Sequence, residues 1–179
     1  MVTSLPSAPA AVLVRSRDAE QLGFPDGSTM TLLADSDATG GVISIHRSVL
    51  AAGASGANPH HHTAVAEIIY VVSGRIDVFV GDEIVEAGEG DLAVVPPGVV
   101  HAFATPPEVG AELLIATTPG IERFSLWRRI QRVVTGREPA GNLVADQATS
   151  YDTYSDVRPQ WDRARHPTPT EQHTQGDQT

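Results

Sequence analysis

The chain has 179 residues, enough for one domain with a sizeable core, and its net charge of −10 argues against binding to nucleic acid or an anionic membrane surface. It contains no cysteine, which excludes a disulfide framework and a thiolate metal site. No stretch reaches the roughly 18 apolar residues of a membrane span, and the first residues lack the pattern of a secretory signal. We therefore expect a cytoplasmic protein.

Glycine, proline and short polar clusters divide the first part of the chain into brief segments. Residues 1–28 contain several prolines and are predicted to form an N-terminal arm. Residues 29–34 and 42–50 are predicted strands because they are rich in β-branched and apolar residues. Alternate side chains of a strand share one face, which in the second strand groups Val42, Ser44, His46 and Ser48.

The same pattern of short strands continues through the middle of the chain. Ser73–Gly74 and Gly81–Asp82 are predicted to be hairpin turns. Pro106–Pro107 ends a strand, since proline cannot donate to a β-ladder. Many short strands separated by glycine turns indicate an all-β barrel or sandwich, which we place at residues 29–118.

Three histidines and a glutamate in this region form a candidate metal site. On a strand, His60 and His62 point to the same side and His61 to the other. Glu67 heads a strand that can return beside them, and His101 lies on a later strand. Three imidazoles and a carboxylate suit Fe, Ni, Co, Mn, Cu or Zn better than Ca or Mg. Four protein ligands leave coordination positions open on an octahedral ion, which is typical of a catalytic metal.

Each of these residues also has an ordinary structural interpretation. A lone histidine in a strand is usually a surface residue or a hydrogen-bonded core residue. His101 follows a Pro-Pro-Gly turn and can simply line a cavity. We interpret His61 as facing solvent or supporting a ligand, and a barrel that keeps all four residues without using a metal is the remaining alternative.

Two motifs in this region resemble those of the cupin superfamily. They read His60-x-His62-x4-Glu67-x6-Gly74 and Gly90-x5-Pro96-x-Gly98-x2-His101-x3-Thr105. Thr105 stands where the second motif has asparagine, and the leading glycine of the first motif is off its usual distance. The resemblance implies an all-β fold, a single small antiparallel β-barrel (the cupin jelly roll), with one divalent transition metal held by His60, His62, Glu67 and His101.

After the last predicted strand the pattern changes. Residues 119–136 are predicted to form an amphipathic C-terminal helix, with Trp127 and Ile130 on its apolar face. We interpret this helix as packing on the outside of the barrel with its arginines solvated, and a lid or an oligomer contact is the alternative. Residues 137–161 are predicted to be an irregular docked segment, and residues 162–179 a disordered tail.

The order of elements resembles the quercetin dioxygenase-like cupins that have one barrel. The matching features are the His-x-His-x4-Glu spacing, the run Gly90–Phe103, Pro119-Gly120 with Glu122-Arg123-Phe124, and Tyr151 with Tyr154. This resemblance implies an oxidoreductase, a metal-dependent dioxygenase that cleaves a flavonol-like or other enol-containing aromatic substrate. Glu67 would be both a metal ligand and the catalytic base.

Apolar residues on or near the ligand-bearing strands predict an apolar substrate cavity, formed by Ile69, Val71, Phe79 and Phe103. The expected partners are an apolar or aromatic small molecule and dioxygen. Two other functions stay open: a redox-neutral polyketide cyclase, dehydratase or isomerase that uses the metal as a Lewis acid, and a non-catalytic small-molecule-binding protein. A homodimer is expected because exposed edge strands need cover.

Overall fold

A computed structural model describes residues 11–166, which form mainly antiparallel β-strands with a few short helices. The all-β class expected from the sequence is confirmed. The strands are β1 (Glu20–Gly23), β2 (Thr29–Ala34), β3 (Ser44–Leu50), β4 (Ser55–His61), β5 (Ala66–Val80), β6 (Glu83–Gly88), β7 (Leu92–Val95), β8 (His101–Ala104), β9 (Ala111–Thr118) and β10 (Tyr154–Ser155). The helices are α1 (Ser36–Thr39), α2 (Phe124–Val134), α3 (Leu143–Tyr151) and α4 (Pro159–Arg165), and a 3-10 turn covers Ser16–Asp18.

The strands pair in the order β1-β2-β3-β9-β5-β8-β4-β10, with β6 and β7 also paired to β5. This path is open, so the ladder is not closed into a hydrogen-bonded ring. The long strand β5 connects its two halves. Residues 66–74 of β5 pair with β9, whereas residues 77–80 pair with β8. One continuous strand therefore carries residues of both halves, and the candidate site lies near its start.

The hairpin turn predicted at Ser73–Gly74 is wrong, because β5 continues through both residues. The strand instead has a register shift between Val71 and Ser73 in its pairing with β9, as at a β-bulge. Gly74 has a φ of 79°, and a Cβ at this position would overlap the carbonyl oxygen of Gly110. The glycine thus permits a bend and a close backbone approach. The turn predicted at Gly81–Asp82 does connect β5 to β6.

The main core lies between the two halves of the sheet and consists of inward-facing apolar residues. Along the start of β5, Ile69 and Val71 are buried, whereas Tyr70 and Val72 are exposed, as the alternation of a strand requires. The buried members of this core are Leu50, Ala54, Ile69, Val71, Ile76, Val78, Phe103, Ala111, Leu113 and Ile115.

The C-terminal part of the described chain is more ordered than the sequence predicts. The segment 137–161, expected to be irregular, contains α3, β10 and the start of α4, and residues 162–165 complete α4. Tertiary contacts stabilise these elements. The strand β10 pairs with β4, and Trp161 of α4 packs on Phe79 with ring centroids 6.3 Å apart. Residues 167–179, where the disordered tail was predicted, lie outside the described residues.

The N-terminal arm and the amphipathic helix also differ from their predicted bounds. Within the arm, β1 pairs with β2, while residues 1–10 are outside the described part. The helix α2 begins at Phe124, later than predicted. The carboxylate of Asp35, far away in sequence, accepts hydrogen bonds from the backbone N–H groups of Arg123 and Phe124 at 3.0 and 2.8 Å. The start of α2 is thus set by an N-terminal cap from a residue distant in sequence, and local sequence signals do not reveal such a cap.

Among the helices between residues 11 and 166, none combines the length and the apolar character needed to cross a membrane.

Candidate active site

The structure brings His60, His62, Glu67 and His101 together at one point. Their ligand atoms all lie within 4.8 Å of one another, and each residue is at most 8% exposed. Strand pairing explains the convergence. His60 on β4 and His101 on β8 are direct partners across an antiparallel ladder, and Glu67 lies near the start of β5. His62 follows the end of β4 and faces the same side as His60, with ring centroids 5.0 Å apart.

The carboxylate of Glu67 lies between two of the imidazoles. Its Oε2 atom is 3.2 Å from Nε2 of His62, and its Oε1 atom is 3.3 Å from Nε2 of His101. The rings of His60 and His101 also approach each other, with centroids 4.2 Å apart. The four side chains therefore surround one small volume.

A backbone carbonyl holds the Nδ1 atom of each of the three imidazoles. The contacts join His60 to Asn58 O at 2.8 Å, His101 to Val99 O at 3.1 Å, and His62 to Asp152 O at 2.5 Å. A carbonyl oxygen can only accept, so these contacts place a proton on Nδ1 of each ring. In the neutral ring Nε2 then carries a lone pair.

This arrangement fits a metal ion. With Nδ1 protonated, the Nε2 lone pairs of His62 and His101 face the acceptor oxygens of Glu67, and a cation among them satisfies all of these acceptors. Hydrogen bonds from the second ring nitrogen to a carbonyl are also the usual way of orienting a metal-ligating histidine. The donor chemistry is thus consistent with the site predicted from the sequence.

The electrostatics keep these groups in the forms that bind metal. Burial lowers the pKa of His60 to about 4, which leaves its imidazole neutral at pH 7. Burial alone would raise the pKa of Glu67, but hydrogen-bond donation and positive charge from the positions of the neighbouring imidazoles, chiefly His101 and His62, outweigh it and hold that pKa well below its ordinary value, and a cation at the same place would act in the same direction. An ionised carboxylate and a neutral imidazole are what a divalent ion requires.

His61 lies on the opposite side of β4 from this cluster. Its ring stacks on Tyr154 with centroids 5.3 Å apart, and its Nδ1 atom is 3.9 Å from a carboxylate oxygen of Asp156. The two neighbouring histidines of the His-x-His motif thus face the cluster, whereas His61 supports the docking of β10.

Asp152 organises the connection between β4 and β5, and sequence reasoning missed it. It adopts the left-handed conformation, with a φ of 47° and a ψ of 40°, and its carbonyl oxygen contacts Nδ1 of His62. Its carboxylate accepts hydrogen bonds from the backbone N–H groups of Thr63, Ala64 and Val65, at 2.9, 2.8 and 3.3 Å. The resemblance directs attention to the neighbouring tyrosines, and nothing in the local pattern marks the aspartate between them.

A cavity of about 680 Å³ opens beside the cluster, with His60 and Glu67 in its wall. This volume suits a drug-sized molecule. The helix α2 forms much of the apolar wall through Leu126, Trp127 and Ile130. The helix was interpreted as packing on the outside of the barrel, and its apolar face also lines the cavity.

The apolar residues predicted to line the cavity divide into three groups. Phe103 lines it, and Ile69 and Val71 are buried in the core beside Phe103 without lining it. Phe79 lies on the other face of the sheet and packs on Trp161, so its assignment to the cavity is corrected. Phe79 pairs with Ala102 on β8, and alternation turns both residues away from the side that His101 and Phe103 face.

Arg123 lies in the cavity wall beside the cluster and is only 3% exposed. Its Nη1 atom is 3.6 Å from Oε2 of Glu67, which is an ion pair rather than a hydrogen bond, and its Nη2 atom donates to Oγ1 of Thr153 at 3.1 Å. The guanidinium also lies 5.0 Å from the ring centroid of Trp127. The sequence analysis placed this arginine among the solvated ones. It precedes the helix, so helical periodicity did not apply to it.

His46 is a further cavity residue that sequence reasoning did not assign to the site. It lies on β3, on the inward face with Ser44 and Ser48, as the alternation predicted. Burial, followed by the positive charge of Arg123, lowers the pKa of His46 to about 4. Its ring centroid is 5.4 Å from that of Trp127. The available signal was the polar character of this inward face, which an ordinary core strand would not have.

Comparison with known proteins supports the cupin assignment for the barrel. Residues 46–117 match the family model described as the cupin domain. A comparison of the sequence with curated proteins found no significant match. Similar solved structures include an RmlC-like cupin from Shewanella frigidimarina, with 23% identity, a TM-score of 0.54, and coverage of 65% of this chain and 97% of that one.

Two further similar structures have named or predicted activities of their own. The polyketide cyclase RemF from Streptomyces resistomycificus has 20% identity and a TM-score of 0.51, with coverage of 62% of this chain and 80% of that one. A predicted oxalate decarboxylase from Thermotoga maritima has 22% identity and a TM-score of 0.52, with coverage of 60% and 98%. At these identities the likeness establishes the cupin fold.

Proposed function

We propose that this protein is a metal-dependent enzyme in which His60, His62, Glu67 and His101 hold one divalent transition metal, drawn from Fe, Ni, Co, Mn, Cu and Zn. The main support is the meeting of four buried donor groups beside a cavity of about 680 Å³. When bound, such an ion supplies Lewis acidity and open coordination positions at the cavity wall. The donor set does not select among these ions, because geometry and availability decide metal selectivity.

The reaction that we place first is dioxygen-dependent cleavage of a flavonol-like or other enol-containing aromatic substrate. The apolar walls support it, because Phe103 and the helix α2 can bury a planar ring and exclude water from it. Glu67 faces the same cavity, and its carboxylate would take the proton of the substrate enol. The resemblance to quercetin dioxygenase-like cupins in sequence motifs adds to this proposal.

Oxygen uptake tests this reaction. The protein is loaded separately with each candidate metal, and oxygen consumption is followed with flavonols and other enols. We expect uptake with at least one metal, loss of uptake in His62→Ala, and normal uptake in the matched control His61→Ala, whose side chain lies on the other side of β4. Absence of uptake with every metal and every enol would reject the dioxygenase.

A redox-neutral cyclase, dehydratase or isomerase is the second candidate, and His46 favours it. This imidazole lines the cavity and belongs to none of the four proposed ligands. Burial lowers its pKa to about 4, so the ring is neutral at pH 7 and can hydrogen-bond and orient a substrate hydroxyl group without releasing a metal ligand. Such orientation is useful in cyclisation and dehydration, where a hydroxyl or enol group must be placed against the ion.

Anaerobic assays separate the two candidates. Turnover of a polyketide-like enol by the zinc-loaded protein without oxygen, abolished in His46→Gln, would favour the redox-neutral reaction. Binding of such molecules without turnover under either condition would favour the third alternative, a non-catalytic small-molecule-binding cupin. The homodimer expected from the sequence stays a prediction.

A further inference from the structure

We propose that Arg123 binds an anionic oxygen group of the substrate, most simply a carboxylate, next to the metal centre. This inference rests on the proposed function because it takes the cavity to be the substrate site. It adds a substrate class that the proposed metal ligands alone do not define, namely an apolar molecule that also carries an anionic group.

The first support is the state of the guanidinium. Arg123 is buried, and its Nε and Nη1 atoms have no hydrogen-bond partner among residues 11–166. Buried polar groups are nearly always hydrogen-bonded, because a buried donor without an acceptor costs about 1–3 kcal/mol. The side chain lies in the cavity wall, so an acceptor that enters the cavity can supply these missing bonds.

The second support is how firmly the guanidinium is held in place. Thr153 accepts a hydrogen bond from Nη2, and the ring of Trp127 lies 5.0 Å from the guanidinium. The backbone N–H of Arg123 itself donates to Asp35 at 3.0 Å. With its guanidinium in contact with two side chains and its backbone fixed by a third, Arg123 loses little conformational entropy on binding a ligand, which is how a preorganised anion site works.

The third support comes from the carboxylates around Arg123. Glu67 is a proposed metal ligand, and its nearest oxygen is too far from Nη1 for a hydrogen bond. Asp35 accepts from the start of α2, and Asp152 from the 63–65 turn. Asp26, also in the cavity wall, accepts from the backbone of Ser28. Each carboxylate thus has other partners, and the free donors of the guanidinium are left for a ligand.

Calorimetry with a matched pair of probes tests the proposal without requiring turnover. The probes are 2-naphthoate and its neutral analogue 2-naphthamide, titrated into the zinc-loaded protein and into the chelator-treated protein. We expect wild-type protein to bind the carboxylate about 10- to 100-fold more tightly than the amide, as for a charge-assisted hydrogen bond. The preference should persist after zinc is removed, because it comes from the arginine.

Two neutral variants, Arg123→Met and Arg123→Gln, should lose this preference, so that their affinity for the carboxylate falls to about their affinity for the amide. Two substitutions are used in case one variant fails to fold. The comparison of the two probes in metal-free wild-type protein tests the proposal even if both variants fail to fold. The control is Arg128→Gln, a half-buried arginine of α2 that pairs with Glu20.

Two results would overturn the proposal. One is equal binding of both probes by metal-free wild type. The other is a carboxylate preference that survives in both Arg123 variants and disappears with the metal. A structural ion pair with Glu67 would instead lower stability or metal content in these variants without changing the preference. None of these binding measurements depends on turnover. A failure of the proposed reaction would therefore be detected separately, in the oxygen-uptake and anaerobic assays.

Discussion

His46 shows how one buried side chain can set the pH dependence of the molecule. Its pKa falls from 6.5 to about 4, chiefly through burial. As the pH falls below 6.5, the unfolded chain takes up a proton at His46 and the folded chain does not. Stability contributed by this residue is therefore complete above pH 6.5 and is lost toward pH 4, on the order of 3 kcal/mol in total.

We predict that His46→Gln flattens the acid side of the stability profile. The measurement is the free energy of unfolding from pH 7.5 to pH 4, obtained by denaturant titration of the metal-loaded protein. The matched control is His61→Gln, which changes a histidine outside the cavity and should keep the wild-type slope. A variant at position 46 with the same acid-side slope as wild type would show that this imidazole titrates normally.

The position of a single side chain could be predicted from the sequence where strand alternation determines it. It could not be predicted where contacts between distant segments determine it. His60, His62, Glu67 and His101 could be grouped because spacing along strands fixes the side on which each residue lies. Arg123 could not be found in this way, because its burial depends on Asp35 and Thr153, which come from distant segments. Periodicity describes one element at a time and says nothing about such contacts.

At the scale of secondary-structure elements, the segment around Asp152 supports the turn between β4 and β5. Its carbonyl positions the ring of His62, and its carboxylate binds three backbone N–H groups of residues 63–65. Outer contacts of this kind typically change metal affinity about 10- to 100-fold when removed.

We therefore predict that Asp152→Ala lowers zinc affinity about 10- to 100-fold, measured by competition with a chelating dye. Two further variants separate the causes. Asp152→Asn tolerates the positive φ and keeps one acceptor oxygen, so it should lose less. Asp152→Gly tolerates the φ but lacks the carboxylate, so it should resemble alanine. Wild-type affinity in the alanine variant would mean that the turn holds His62 without this support.

Elements were predicted better within the β-sheet than after it, although the turn expected inside β5 was wrong. The span of β2 was predicted correctly because composition and turn residues bound it on both sides. The elements after α2 were missed because α3 has no buried residue, and α4 is stabilised mainly by one side chain, Trp161. Short elements that depend on docking carry little periodic signal of their own.

At the scale of the whole molecule, the cavity is built from segments on both sides of the cupin domain. The family match covers residues 46–117, whereas Arg123, Trp127 and Thr153 in the cavity wall follow it, and Phe24 precedes it. The four proposed metal ligands thus lie within the residues that match the cupin-domain model. The groups that would recognise a substrate belong largely to the flanking segments, which explains why motifs indicated a metal site and not its substrate.

The central claim is that four side chains, from β4, the residue that follows it, β5 and β8, share one metal ion, and metal content tests it most directly. Wild type, His60→Ala and His61→Ala are incubated with excess metal, desalted and subjected to elemental analysis. The two substitutions change neighbouring histidines on opposite sides of one strand. We predict one ion per chain in wild type and in His61→Ala, and little or none in His60→Ala. Metal-free wild type, or equal metal content in all three proteins, would contradict the account.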